Sequence, residues 1–255
     1  DEPMRRHSIA FDYPVFHWDT PALKQKQVVN WLIDNWGISR STARAAFQQA
    51  EKADQSFNSR IREEGKALIK QIEASEGFGV VLAGRPYHSD EFVNHNLSTF
   101  FTSLGIPVLT LDALPLERED LKQTRLDTIN SFHARVLSAA QYVAKHPKLE
   151  MVQTVSFGCG HDATLTDEMH RIYTELSNKE PLVVKLDEGE VKGPLNIRVK
   201  SFIETIRAKR KSEETLVKKE QLSEPYSVKF TKEDASKRTI LIPNLSPSFS
   251  LLIGK

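Results

Sequence analysis

The pattern of apolar and polar positions changes character near residue 77. Before it, apolar residues recur at helical spacing; after it, short continuous apolar runs alternate with amphipathic stretches. Thr20-Pro21 reads as a helix start, with Thr20 as N-cap and Pro21 at the first helical position, and Gly37 stops this helix after Trp36. Ser39 or Ser41 then opens a long helix to about Ala74, whose apolar positions Ala43, Phe47, Ala50, Phe57, Ile61, Leu68 and Ile69 make an imperfect stripe. Four runs follow that read as buried parallel strands: 79–83, 106–111, 151–155 and 182–186. Helices are predicted between and after them, at about 91–104, 117–145, 165–177 and 195–210. Strand alternating with helix means βαβ units with right-handed crossovers. The expected fold class is α/β: a Rossmann-like, mostly parallel sheet with flanking helices, preceded by a helical N-terminal segment.

The expected organisation is an irregular and helical segment over 1–75, an α/β domain over 76–210, a charged linker over 211–237, and the first strand of a following, truncated domain over 238–255. Residues 1–20 carry Phe11, Tyr13, Phe16, His17 and Trp18 and read as a segment that packs against something else. Residues 209–237 are dense in Lys, Glu, Ser and Asp, with nothing expected to build a core. The chain opens on Asp1-Glu2-Pro3, as expected of a sequence that begins inside a longer reading frame.

Composition narrows the function classes. Of 255 residues, 39% are hydrophobic and 27% charged, an ordinary globular balance. The net charge of +1 supplies no bulk attraction to nucleic acid or anionic lipid, so neither is an expected partner. No apolar run has the length of a membrane span. The one cysteine, Cys159, cannot form an internal disulfide, which favours a reducing compartment; cytoplasmic location is the expectation. There is no Walker loop and no G-x-G-x-x-G fingerprint, so neither ATP hydrolysis nor dinucleotide binding is expected.

In an open parallel sheet, ligands bind beyond the carboxyl ends of the strands. Four unusual stretches fall there: Gly84-Arg85-Pro86-Tyr87-His88, Asp112, Ser156-Phe157-Gly158-Cys159-Gly160-His161-Asp162, and Asp187-Glu188-Gly189. Cys159 stands between two glycines, just before a helix expected to start near Thr164 or Thr166. Three readings compete for it: an iron–sulfur ligand, which needs about three further thiolates; a nucleophile with His161 as base; a small buried hydrophobe. In the first loop, Arg85 could clamp a phosphate or carboxylate, and His88, Asp90 and His95 could be metal ligands, though their spacing matches no standard site. The plainer reading is that Arg85 and His88 tie the loop together and Asp90 caps the next helix. His7, His17, His133, His146 and His170 share no spacing and are expected in surface or core roles; Trp18, Trp31 and Trp36 are expected to pack.

These motifs carry a resemblance. Val80 to His88, then Asp90 and Asn94-His95, resemble a block of large bacterial proteins termed acyl-CoA dehydratase activase-related, or CoA-substrate-specific enzyme activases. Leu104 to Thr110 resembles the strand that follows there. Ser156-Phe157-Gly158-Cys159-Gly160 with Asp162 is similar to the family's SFGCG-x-D block, and Lys185 to Gly189 with Arg198 and Ser201 to its KxDEG…R…S block. The resemblance spans about 76–208; the N-terminal segment and residues 113–130 fit it poorly, and His161 departs from it. It implies a piece of a multidomain 2-hydroxyacyl-CoA dehydratase/activase-related protein, whose partners are domains of the same polypeptide: an actin-like ATPase activator and a dehydratase-like domain. It also implies a [4Fe-4S] cluster in the full-length protein, incomplete in this stretch, and an acyl-CoA ligand. Cys159 would be a cluster ligand or near neighbour. Gly84, Arg85, Pro86, Tyr87, His88, Asp90, Asn94, His95, Ser156, Gly158, Gly160, Asp162, Asp187 and Glu188 would line the cleft. On this reading the isolated stretch is inactive; the alternative is a scaffold that binds no cluster.

Overall fold

The computed structural model describes residues 11–116, 121, 124, 131–156, 160–186, 192–212, 221–223 and 231–237. The chain divides into two compact units, Asp1–Ala83 with Ser89–Pro115, and Gly84–His88 with Leu116–Lys255. Its strands form one parallel sheet in the order β2-β1-β3-β4, as the alternating pattern predicted.

In the first unit, α1 (Pro21–Trp36) starts on its proline and ends at Gly37, whose φ of 64° is the left-handed conformation that glycine adopts without strain. Thr20 holds the N-cap position, but its side chain makes no capping bond. α2 (Arg40–Ala74) is properly capped: Ser39 Oγ accepts from Thr42 N. The imperfect stripe of α2 has a physical reason, since only Ala43, Gly65, Ile69 and Ile72 are buried along it. Gly65 lies so close to the Ala113 carbonyl that a β-carbon there would overlap it. β1 (Gly79–Ala83) is buried throughout and pairs with β2 (Val108–Thr110) in the register Val80↔Val108 and Leu82↔Thr110.

β2 is shorter than the apolar run predicts. Gly105 takes φ 75° and Ile106 N bonds back to Phe101, so the run begins inside a turn. The preceding helix, α3 (Leu97–Ser103), is likewise shorter than the predicted 91–104. Residues 91–96 are turns, and His95 and Asn96 have φ of 55° and 59°, which helix cannot accommodate. The tryptophans pack against aromatic neighbours, two of them on the surface. Trp18 is 65% and Trp36 63% exposed; they join an edge-to-face aromatic chain with Phe16 and Trp31 rather than a core.

The second unit contains α4 (Ser131–Lys145), β3 (Leu149–Val155), α5 (His161–Leu176), β4 (Leu182–Lys185), α6 (Lys192–Lys211) and a single turn α7 (Asp234–Lys237). β3 is buried along its whole length and pairs with β4 from Val152↔Leu182 to Val155↔Lys185. The first half of the predicted 117–145 helix is mostly outside the described residues, as is the strand predicted at 238–243. The charged stretch after α6 contributes one core residue after all: Leu222 is buried, anchored where Ser223 donates from N and Oγ to Glu175 Oε2.

Candidate functional site

Gly84 leaves β1 where no other residue fits. A β-carbon there would overlap Thr154 Oγ1 and come within 2.9 Å of the Thr154 carbonyl and 2.5 Å of His88 Nδ1. The chain then folds into a 3-10 turn, Pro86–Ser89, closed by His88 N donating to Arg85 O at 2.9 Å. In return Arg85 N donates to His88 Nδ1 at 3.2 Å. Nδ1 accepts there, and Nε2 lies 2.8 Å from Ser156 Oγ, an arrangement that the neutral ring with its proton on Nε2 satisfies. Burial pushes the His88 pKa below its ordinary value; Asp162 opposes, Arg85 adds, and a bond to the Thr154 backbone opposes.

Arg85 reaches the other loop directly. Its Nη2 donates to both oxygens of Asp162, at 3.0 and 3.1 Å, and its guanidinium lies 5.7 Å from the Phe132 ring centre. The Asp162 side chain is 5% exposed and that of Arg85 32%. The bond to Asp162 raises the Arg85 pKa further, burial working against it. Tyr87 stays partly exposed and meets the His88 ring edge-to-face at 4.5 Å.

Gly160 and Asp162 begin α5. Gly160 has φ 58° and ψ −130°, a conformation reserved for glycine, and serves as N-cap; Asp162 puts an acid in the first turn. The helix therefore starts three residues before Thr164, because backbone conformation and an acid near the positive helix end suffice without a threonine cap. Thr166 Oγ1 bridges Asp162 O at 2.8 Å and Gln153 Oε1 at 3.0 Å, fixing α5 to β3.

His133 joins this cluster from the first turn of α4. It is 8% exposed, its ring 5.6 Å from that of His161 and 4.2 Å from Phe132, and its Nε2 is buried with no hydrogen-bond partner among the described residues. Burial and then His161 lower its pKa, with Asp162 opposing and Arg85 adding. The sequence held no signal for His133: it stands some 30 residues before His161, in no motif.

The structure thus brings together Gly84, Arg85, Tyr87, His88, Ser156, Gly160 and Asp162, and adds Phe132, His133 and Thr154. Phe157, Gly158 and Cys159 lie outside the described residues, as do Asp187, Glu188 and Gly189. Asp90, Asn94 and His95 belong to the first unit and build turns. Asp90 Oδ1 accepts from Phe92 N and Val93 N at 2.9 and 3.2 Å, and buried Asn94 accepts from Leu97 N at 3.0 Å through Oδ1. Asp112 lies in the 3-10 turn Leu111–Ala113 after β2. No group of three or more His, Cys, Asp or Glu among the described residues could hold a metal ion.

Residues 2–114 match the family described as "CoA enzyme activase uncharacterised domain", and the activase-related resemblance holds. The match covers the N-terminal segment, which fits poorly by motif, and ends before the blocks at 156–162 and 185–201. No curated protein and no solved structure matches the chain. No helix among the described residues is long and apolar enough to cross a membrane.

Proposed function

With residues 2–114 placed in the activase-related family, we propose that this chain supplies one wall of a cleft completed by another domain of a multidomain 2-hydroxyacyl-CoA dehydratase/activase-related protein. The cleft would serve an iron–sulfur cluster or an acyl-CoA in ATP-driven, low-potential electron transfer. The observation that carries the reading is the double tie Arg85–Asp162 and His88–Ser156, which holds the described residues on either side of Cys159 in the sequence.

A complete cluster does not fit this chain alone. Clusters take about four thiolates, and the sequence has one cysteine. Cys159 would supply one ligand at most, the others coming from the completing domain, and the work of the residues described here is positional. Asp162 holds Arg85, His88 holds Ser156, and Gly160 lets the chain turn from loop into α5.

The test is anaerobic reconstitution with iron and sulfide of the protein together with its flanking domains, wild type against Cys159→Ala. The expected result is a lower iron content and an altered visible spectrum in the variant. Unchanged iron and spectrum remove Cys159 from the ligand set. A scaffold that binds no cluster is the second reading. It is favoured by one observation: Arg85 Nη2 and the His88 ring form hydrogen bonds within the protein, to Asp162 and Ser156.

A further inference from the structure

At the amino ends of β3 and β4, the end away from the loops just described, the second unit contains a cavity of about 410 Å³. That is within the size range of small-molecule sites, roughly 300–1,000 Å³. Its apolar lining comes from Pro181, Leu182, Ile197, Phe202 and Ile206. Ile197 is 70% exposed, a large apolar side chain left uncovered beside the opening.

Four cations line this space, Lys179, Arg198, Lys209 and Arg210, against two acids, Glu150 and Glu180. Two cations are committed. Lys179 is buried and donates to the carbonyls of Val143, His146 and Leu149, and Arg210 pairs with Glu150 at 3.0 Å. Arg198 and Lys209 differ. Each gives one bond to a backbone carbonyl, Arg198 Nη2 to Val183 O at 2.6 Å and Lys209 Nζ to Asn178 O at 2.9 Å, and neither has a carboxylate partner among the described residues. A guanidinium carries five N–H donors and an ammonium three, so both retain donors beyond these bonds.

The placement follows from the sheet. Leu186 N donates to Val155 O, so alternate residues of β4 turn their backbone towards β3 and Val183 turns outward, where Arg198 takes its carbonyl. Residues 198, 201, 205 and 209 share one face of α6 and bring the two cations and the Ser201 hydroxyl to the same cavity. Arg198 and Ser201 are also the motif residues that the loop cluster leaves unused.

We propose that this cavity binds a small acidic molecule with an apolar body. Arg198 and Lys209 receive the anionic head group, and Ile197, Phe202, Pro181 and Leu182 cover the rest. The site is separate from the proposed cleft and stands or falls without it.

Isothermal titration with octyl phosphate and with octanoate tests this, against octanol and inorganic phosphate. At least one acid is expected to bind, and octanol and inorganic phosphate at least tenfold more weakly. The preferred acid names the head group. Lys209→Gln keeps the Arg198–Val183 tie and is expected to weaken the acid about tenfold, Arg198→Gln at least as much, with thermal unfolding confirming that each variant is folded. Arg207→Gln, in the exposed pair with Glu204, is expected to bind like wild type. Octanol binding as tightly as the acids, inorganic phosphate matching them, or Lys209→Gln retaining affinity within twofold would each overturn the proposal.

Discussion

The two ends of β3 solve the problem of buried charge in opposite ways. At the carboxyl end, Arg85 and Asp162 neutralise each other and burial favours the neutral form of His88, so the charges described there are answered by side chains. At the amino end, Lys179 has no direct carboxylate bond among the described residues and is answered by three backbone carbonyls at and just after the close of α4, where the negative end of the helix favours a cation. Glu150 and Arg210 form the side-chain pair nearby, and Tyr173 keeps a buried hydroxyl with no hydrogen-bond partner among the described residues. The contrast teaches where each end has something left to give. The upper cluster answers its charges with side chains, leaving Arg85 Nε and His133 Nε2 buried without a partner among the described residues, whereas the lower end keeps cationic donors facing open space.

Breaking the lower end is expected to cost most. Lys179→Ala strands three carbonyls beside a cavity that admits water, and a loss of roughly 3 kcal/mol is expected in urea unfolding at pH 7. A loss under 1 kcal/mol would mean that water replaces the ammonium and that the lysine is no strut.

The same residue gives a pH signature. Burial lowers the Lys179 pKa from its ordinary 10.5 to about 8, Glu150 opposing and Arg210 adding. Between those values the unfolded chain holds a proton that the folded one lacks, so stability rises with pH from about 8 towards 10, by up to roughly 3 kcal/mol. Above 10 the trend reverses at Tyr173: burial raises its pKa well above 10, so the unfolded chain loses that proton first. Unfolding curves at pH 7, 8, 9 and 10 check this, and Lys179→Met is expected to remove the rise.

At the upper end, Arg85→Ala leaves the buried Asp162 carboxylate without its partner, and about 2 kcal/mol is expected after allowing for the partial exposure of the arginine. Arg85→Lys is expected to recover only part of it, since a point charge does not reproduce the planar guanidinium on Phe132. The smallest effect is His88→Asn, at about 1 kcal/mol. It would sharpen the comparison by showing that the imidazole fastens a loop and carries no charge: its cost should shrink as the pH falls from 8 to 5.5, because burial lowers the folded pKa and only the unfolded histidine takes up a proton. A cost that grows on acidification would identify a charged His88 and refute the neutral assignment.

Much of this was legible in the sequence where chemistry is local. Gly37 after Trp36, Ser39 before a long helical pattern and the four apolar runs each point to their element, because caps, glycine conformations and strand burial are short-range effects. Half of the candidate site was legible for the same reason: Gly84-Arg85-Pro86-Tyr87-His88 and Ser156 to Asp162 are unusual stretches at strand ends. The partners were not. Nothing in the sequence pairs Arg85 with Asp162 across 77 residues, or brings His133 beside His161. The interruption at His95 and Asn96 also escaped, since both are ordinary residues held at positive φ by their surroundings.

The sequence by itself determined the order of elements, the parallel sheet, and which loops carry the unusual side chains, because periodicity and turn chemistry act over a few residues. Only the tertiary structure decided which groups meet: which charge neutralises which, that Lys179 closes the end of α4, and that Arg198 and Lys209 face a cavity. Those outcomes depend on packing between segments far apart in the chain, and no local pattern encodes the distance between them.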